Sequence, residues 1–294
     1  MNTVSRHTDA PGMLLRDSIK KFTRGLGKIK PPAHTFRWAH ERISDGHPSI
    51  LSEYFKVRRR SNIPQTRFIG SHLYHRVVLS EGANGKGHTW DQAHASGIME
   101  LAERFSCHRY LNNPLSYRLA PLRHLFDDHA VPKDLYSNFG SQQSNRVNLT
   151  NELLDARVRW YDIYDMEGNR RKIPMSVLCF LVLGSNGMAS GNSREEALLH
   201  GISEVIERHC STHILTRRLP TPTIDQTSIT NPITKGLIRR FEALGHSILI
   251  KNFSFGLGIP VVAVVRKIDR THAIVTVGVA SNSDEALNRA LPEN

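Results

Sequence analysis

Residues 191–208 read G-N-S-R-E-E-A-L-L-H-G-I-S-E-V-I-E-R, and residues 87–104 read G-H-T-W-D-Q-A-H-A-S-G-I-M-E-L-A-E-R. The two stretches align without a gap. Gly87 matches Gly191, Ala93 matches Ala197, Gly97 matches Gly201 and Ile98 matches Ile202. The triplet Glu100, Glu103, Arg104 matches Glu204, Glu207, Arg208. Each stretch follows a glycine-rich segment and carries a capping box, Thr89 with Gln92 and Ser193 with Glu196, so each is predicted to be a helix entered from a glycine turn. With about 100° between successive residues, Ser96, Glu100, Glu103 and Arg104 share one face of the first helix. Glu196, Glu204 and Glu207 share one face of the second. The opposite positions are largely apolar: Ile98, Leu101, Ala102 and Phe105 on the first, Leu198, Ile202 and Val205 on the second. One such acidic face alone is what a solvated helix with neighbouring Glu and Arg looks like, and N3 of a capping box is by itself a structural role for Glu196. Solvated faces have no reason to keep the same triplet at the same distance from a glycine turn twice.

Four carboxylates and two guanidiniums brought together are costly unless something neutralises them. A divalent metal with a polyphosphate would do so. Helix N-termini behind glycine turns also favour anions, through free N–H groups and the helix dipole. The chain has no G-x-x-x-x-G-K-[ST] loop, and no G-x-G-x-x-G opens a helix. The residues therefore point to a non-standard site for Mg2+ and a polyphosphate.

The 294 residues suffice for one large domain or two small ones. The net charge of +12 suits an anionic partner without choosing among nucleotide, nucleic acid and acidic peptide. Part of it is local, in residues 14–42 and in the run Lys56-Val57-Arg58-Arg59-Arg60, which also fits a solvated surface. Cys107, Cys179 and Cys210 form no C-x-x-C pair and read as small buried hydrophobes in a reducing cytoplasm. His209 and His213, beside Cys210, lack an evident third metal ligand. The longest mostly apolar stretch, Met175 to Leu183, is far shorter than the roughly 20 residues a membrane span needs.

Along the chain, residues 1–12 are expected to be disordered and 13–30 to form a short basic helix. Thr35 to Ile43 is helical in pattern. His72 to Leu79 reads as a strand, with a glycine-rich turn at 81–87. Arg157 to Asp165 and Lys172 to Leu183 read as strands around a hairpin turn at 166–169. Residues 219–233 read as a Pro/Thr-rich linker. Strands follow at Ser247 to Phe253, Pro260 to Arg266 and Ala273 to Val279. A last helix begins near Asp284 with Ser283 as its N-cap, and Pro292 should end it. The fold class is α+β: antiparallel or mixed sheets covered on one side by the duplicated acidic helix.

At these residues the chain resembles the YcaO family. G-K-G-H-T-W-D-Q-A-H-A-S-G-I-M-E-L-A-E-R is similar to that family's first nucleotide-site helix, and S-N-G-M-A-S-G-N-S-R-E-E-A-L-L-H-G-I-S-E-V-I-E-R to its second. K-P-P-A-H-T, G-L-G-I-P-V-V-A-V-V and D-E-A-L-N-R-A-L are weaker likenesses to an early segment, a later strand and the start of a third site helix. The resemblance implies a YcaO-like ATP-binding fold over residues 13–294 that is C-terminally incomplete, because the family continues beyond this point. It implies ATP and Mg2+ as cofactors. By position, Glu100, Glu103, Glu196, Glu204, Glu207 and Glu293 would hold the metal. Lys21, Ser96, Arg104, Asn192, Arg208 and Arg289 would contact the nucleotide, with Lys20 an alternative to Lys21. The implied activity is ATP-dependent activation of peptide backbone amides by phosphorylation, giving azolines or thioamides on a ribosomally made peptide.

Two other functions stay open on the sequence. One is a non-catalytic or accessory protein of the same fold, such as a partner in ribosomal-protein methylthiolation. The other is a basic nucleic-acid-binding protein, for which no recognised motif is present. The expected partners are a peptide or protein substrate and a protein supplying substrate recognition or sulfur. A homodimer is admitted, while nucleic acid and membrane are not expected.

Overall fold

The computed structural model describes residues 27–44, 50–58, 61–74, 77–127, 130, 151–165, 168–175, 177–178 and 185–293. The chain divides into two compact units, residues 17–105 with 186–294 and residues 1–16 with 106–185. Its elements run in the order α1 (Pro32–Ser44), β1 (Leu51–Val57), β2 (Gln65–Tyr74), β3 (Val77–Lys86), α2 (Trp90–Asn112), β4 (Tyr117–Pro121), α3 (Asn151–Asp155), β5 (Arg157–Tyr164) and β6 (Arg170–Pro174). Then come α4 (Arg194–Arg217), β7 (Thr223–Ile224), α5 (Pro232–Glu242), β8 (Ser247–Asn252), β9 (Val261–Lys267), β10 (Ala273–Val279) and α6 (Ser283–Glu293). The class is α+β, and every pairing between these strands is antiparallel.

The larger unit holds two sheets. In the first, ordered β1-β2-β3, Phe68 and Ala83 pack with Ala39 and Ile43 of α1 and with Ile98 and Leu101 of α2. In the second, ordered β10-β9-β8-β7, strand β9 is buried on both faces. Val262 and Val264 pack with Leu237 and Phe241 of α5 and with Leu287 and Leu291 of α6. Val261 and Ala263 pack with Cys210 and Ile214 of α4. In the smaller unit β4-β5-β6 pair around Trp160, Tyr161 and Ile173. The Tyr161 hydroxyl donates to the Leu111 carbonyl at 2.6 Å.

The helix starts follow the sequence closely. Thr89 Oγ1 accepts from the Gln92 N–H at 3.2 Å, and Gln92 Oε1 accepts from the Thr89 N–H at 3.3 Å, so the first capping box is complete. In the second, Ser193 Oγ accepts from the Glu196 N–H at 3.2 Å, but the Glu196 carboxylate reaches Asn192 rather than Ser193.

Several sequence expectations are corrected. The glycine-rich segment at 81–87 is no turn. Through Lys86 it belongs to β3, which pairs with β2 as one long hairpin, so the single strand expected over 72–79 is the meeting of two; residues 75 and 76 lie outside the described residues. Glycine is needed there for close approach: a Cβ on Gly85 would overlap the Ala93 carbonyl, and one on Gly97 would lie 2.5 Å from the Phe68 ring.

The strand expected over 172–183 stops at Pro174, and Met175, Val177 and Leu178 are helical; 176 and 179–184 lie outside the described residues, as does Cys179. The 219–233 linker contains β7 and the start of α5, a helix the sequence reading missed. Asn231 Oδ1 caps α5 by accepting from the Ile233 N–H at 2.9 Å.

The cap of α6 is Asn282 rather than Ser283, its Oδ1 accepting from the Glu285 N–H at 2.8 Å. Pro292 does not end α6, which runs through Glu293. Its missing N–H releases the Asn288 carbonyl, one turn back, and that oxygen accepts a hydrogen bond from His88 Nε2 at 3.1 Å. Residues 27–30 are not helical, and the rest of the expected basic helix, with the expected disorder at 1–12, lies outside the described residues.

Candidate functional site

The two E-x-x-E-R triplets are built alike. On α2, Glu100 Oε1 accepts from Arg104 Nη2 at 2.5 Å, one helical turn on, and Glu100 Oε2 accepts from the Asn84 N–H at 3.1 Å. Arg104 Nη1 donates to the Gly82 carbonyl at 2.5 Å. On α4, Glu204 pairs with Arg208 at 3.5 Å and accepts from the Gly187 N–H at 3.1 Å. In both copies the first glutamate therefore holds a backbone amide of the glycine-rich segment ahead of its helix and the arginine of its own triplet.

The second glutamate is the strained one. Burial pushes the Glu103 carboxyl up to about 7, with the charges of Glu100 and Glu204 adding to it; Arg104 and the Ser190 N–H oppose. Burial likewise pushes Glu207 up to about 7, aided by Glu293 and Glu204 and opposed by Arg208 and Arg289. Arg208 Nη1 lies 3.7 Å from Glu207 Oε1. The influence of Glu204 on Glu103 joins the two repeat helices into one electrostatic cluster. Residues of α6 extend it: Glu293 acts on Glu100 and Glu207, accepts from Lys86 Nζ at 2.7 Å, and lies one turn beyond Arg289.

Glu196 sits at the N-terminal end of α4. Burial alone would raise its carboxyl, but Lys28 at 3.2 Å and the N–H groups of Ile29 and Asn192 hold it below the ordinary value. Lys28 is in turn lowered, chiefly by burial. His200, one turn along α4, is pushed down to about 4 by burial and by Lys28 and Arg289. Asn192 is engaged by its neighbours: its Oδ1 accepts from Thr35 Oγ1 at 2.7 Å, and its Nδ2 donates to Glu196 at 3.0 Å. Ser96 is exposed on α2.

Of the residues singled out from sequence, the structure groups Glu100, Glu103, Glu204, Glu207, Glu293, Arg104, Arg208 and Arg289. Glu196 and Asn192 lie beside them on the Lys28 side. Lys21 and Lys20 lie outside the described residues. The sequence reading missed Lys28, Lys86 and His200. Nothing in a basic N-terminal stretch marks one lysine over another, and the bond from Lys86 to Glu293 depends on tertiary placement.

The donor set fits Mg2+. It is all carboxylate oxygen, and the repulsion of Glu103 by Glu100 and Glu204, and of Glu207 by Glu293 and Glu204, is what a cation would relieve. Among the described residues no three His, Cys, Asp or Glu side chains close into a metal cage. Mg2+ needs none, because it usually binds through one or two carboxylates together with phosphates and water.

One expectation about these helices is half right. The apolar face of α2 is buried, with Ile98 at 0% and Leu101 at 1% exposure, but the equivalent Ile202 and Val205 of α4 are 37% and 53% exposed. On α4 the inward side carries Glu196 and Glu207, and apolar burial is displaced to Cys210 and Ile214 further along.

An uncharacterized protein of Methanothermobacter thermautotrophicus is 31% identical over 225 residues, which cover 71% of this chain and 55% of that protein. The ribosomal protein S12 methylthiotransferase accessory factor YcaO of Escherichia coli is 36% identical over 94 residues, 32% of this chain and 16% of that one. The chain thus spans about half the length, or less, of these curated relatives. Among solved structures, a heterocyclase in complex with substrate and cofactor superposes with a TM-score of 0.74 at 21% identity, over 96% of this chain and 41% of that chain. YcaO from Methanopyrus kandleri, bound with AMPPCP and Mg2+, gives 0.68 at 21% identity, over 93% and 69%. These structural likenesses carry the fold. With residues 84–294 matched by the family model described as YcaO cyclodehydratase, ATP- and Mg2+-binding, the chain belongs to the YcaO family.

Proposed function

We propose that the chain binds ATP with Mg2+ at the paired triplets and activates peptide backbone amides by phosphorylation, giving an azoline or a thioamide. The observation that carries this reading is the coupled carboxylate cluster, in which Glu103 and Glu207 are both held near 7 across two helices. Glu100, Glu103, Glu204, Glu207 and Glu293 would hold Mg2+, with Glu196 at the edge of the set. Mg2+ supplies charge neutralisation to the transferring phosphoryl group.

The chemistry needs this because an amide oxygen is a poor leaving group and phosphate a good one. A thiol or hydroxyl, giving up its proton, or a hydrosulfide ion adds to the amide carbon, and the resulting oxyanion takes the γ-phosphoryl of ATP, releasing ADP. Loss of phosphate and a proton then leaves the C=N or C=S product. Arg104, Arg208 and Arg289 would steady phosphate charge, and each pairs with a glutamate one turn back on its own helix. The peptide substrate, and a partner protein that presents it or supplies sulfur, belong to the same reading.

A second reading is an accessory role without catalysis, favoured by the likeness to the E. coli accessory factor. Calorimetric titration of ATP with Mg2+ tests both. Binding is expected in the unmodified chain and its loss in Glu100→Gln and Glu204→Gln; absence of binding in the unmodified chain sinks the enzyme reading. Phosphate release that depends on added peptide separates enzyme from accessory protein.

A further inference from the structure

Strand β1 carries a surface that the nucleotide chemistry does not use. Its residues Ser52 to Lys56 are exposed in succession, so both faces of this stretch reach solvent. β1 lies at the edge of its sheet, with β2 its neighbour among the described strands. Every second residue of such an edge turns its N–H and C=O away from the sheet. Tyr54 and Phe55, 41% and 48% exposed, point to opposite faces.

Tyr54 stacks on Phe68 at 5.0 Å and meets His40 and His94 edge-on at 5.9 Å; Trp90 continues the array beside His94. Lys56 lies 4.7 Å over the Trp90 ring, and Arg58 follows just past the strand. The neighbouring helices carry both signs, Arg37 and Arg42 with Glu41 and Asp91, and β1 itself carries Glu53. Lys56 and Arg58 make the C-terminal end of β1 cationic.

We propose that β1 recruits the peptide substrate by strand addition. An extended acidic segment would bond its main chain to the outward groups of β1, set apolar side chains against Tyr54 and Phe55, and turn carboxylates toward Lys56 and Arg58. This rests on the reading above that the substrate is a peptide. Single-stranded nucleic acid fits less well, because one ring face each of Tyr54 and Trp90 is already taken, by Phe68 and Lys56.

The test is fluorescence polarisation with the full chain and a labelled twelve-residue peptide of alternating Glu and Val. The controls are its Lys/Val counterpart, a version N-methylated at alternate residues, and a twelve-nucleotide oligouridine. The acidic peptide is expected to bind, with the lysine and N-methylated versions weaker by at least about tenfold. Phe55→Glu and Lys56→Glu are each expected to weaken it about tenfold while leaving ATP–Mg2+ affinity unchanged. If Phe55→Glu does not fold, Lys56→Glu decides alone. Equal binding of the N-methylated peptide, tighter binding of oligouridine, or a dimer in sedimentation that Phe55→Glu dissolves overturns the proposal. Absent peptide binding with ATP binding intact overturns strand addition alone; absent ATP binding overturns the nucleotide reading and leaves strand addition standing.

Discussion

Glu103 and Glu207 occupy the same place in the two copies, and both are raised to about 7. In the unfolded chain each would titrate near 4.5. The folded state therefore binds more protons between these values, and stability falls as pH rises from about 4.5 to about 7, then levels off. Glu103→Gln and Glu207→Gln are expected to raise Tm at pH 8 by a few degrees and to leave it unchanged at pH 4, as read by thermal melts. Because Mg2+ needs ionised carboxylates, its stabilisation of the unmodified chain should be larger at pH 8 than at pH 5. Lys28 plays the opposite part. Lys28→Met strands the Glu196 carboxylate and is expected to cost about 2 kcal/mol in urea unfolding; most of that should return in Lys28→Met with Glu196→Gln. If the double variant is as unstable as the single, the lysine acts through packing instead.

At the scale of elements, glycine decides how α2 meets the first sheet. Gly85→Ala is expected to cost about 3 kcal/mol or more, because the added carbon meets backbone atoms of α2 that cannot rotate away. Gly168→Ala, at a hairpin with φ of 84° and open space around it, should cost about 1 kcal/mol. Denaturant midpoints of the two variants check the difference. The same residues show what sequence can and cannot convey. The repeat helices were legible because period, capping box and triplet agree. The glycines before α2 were misread because a glycine that permits close packing looks, in one dimension, like a glycine that turns the chain. Asn231 and Pro232 are an ordinary helix start, a capping amide followed by a proline at the first position, yet Pro and Thr around them read as a linker. Pairings such as Lys28 with Glu196 span 168 positions and have no local sign at all.

Across the whole molecule, duplication of sequence has not meant duplication of environment. Ile98 and Ile202 are equivalent in the repeat, but one is fully buried and the other exposed. Ile98→Ala is expected to cost about 2–5 kcal/mol, and Ile202→Ala to stay within about 0.5 kcal/mol. Equal losses in chemical denaturation would mean that the second face is covered in solution. The acidic triplet was kept in both copies while the apolar face was released in one, so the two halves of the repeat answer to different demands. The bond between His88 and the Asn288 carbonyl makes a related point about inheritance. Pro292 surrendered a donor inside its own helix, and a ring just before the first repeat helix supplied the replacement. Burial lowers the pKa of that histidine, and its other ring nitrogen, Nδ1, is buried without a partner among the described residues. A relative that regains an N–H at position 292 no longer needs the histidine and is better off without its buried nitrogen. Positions 88 and 292, two hundred residues apart, should therefore change together across lineages.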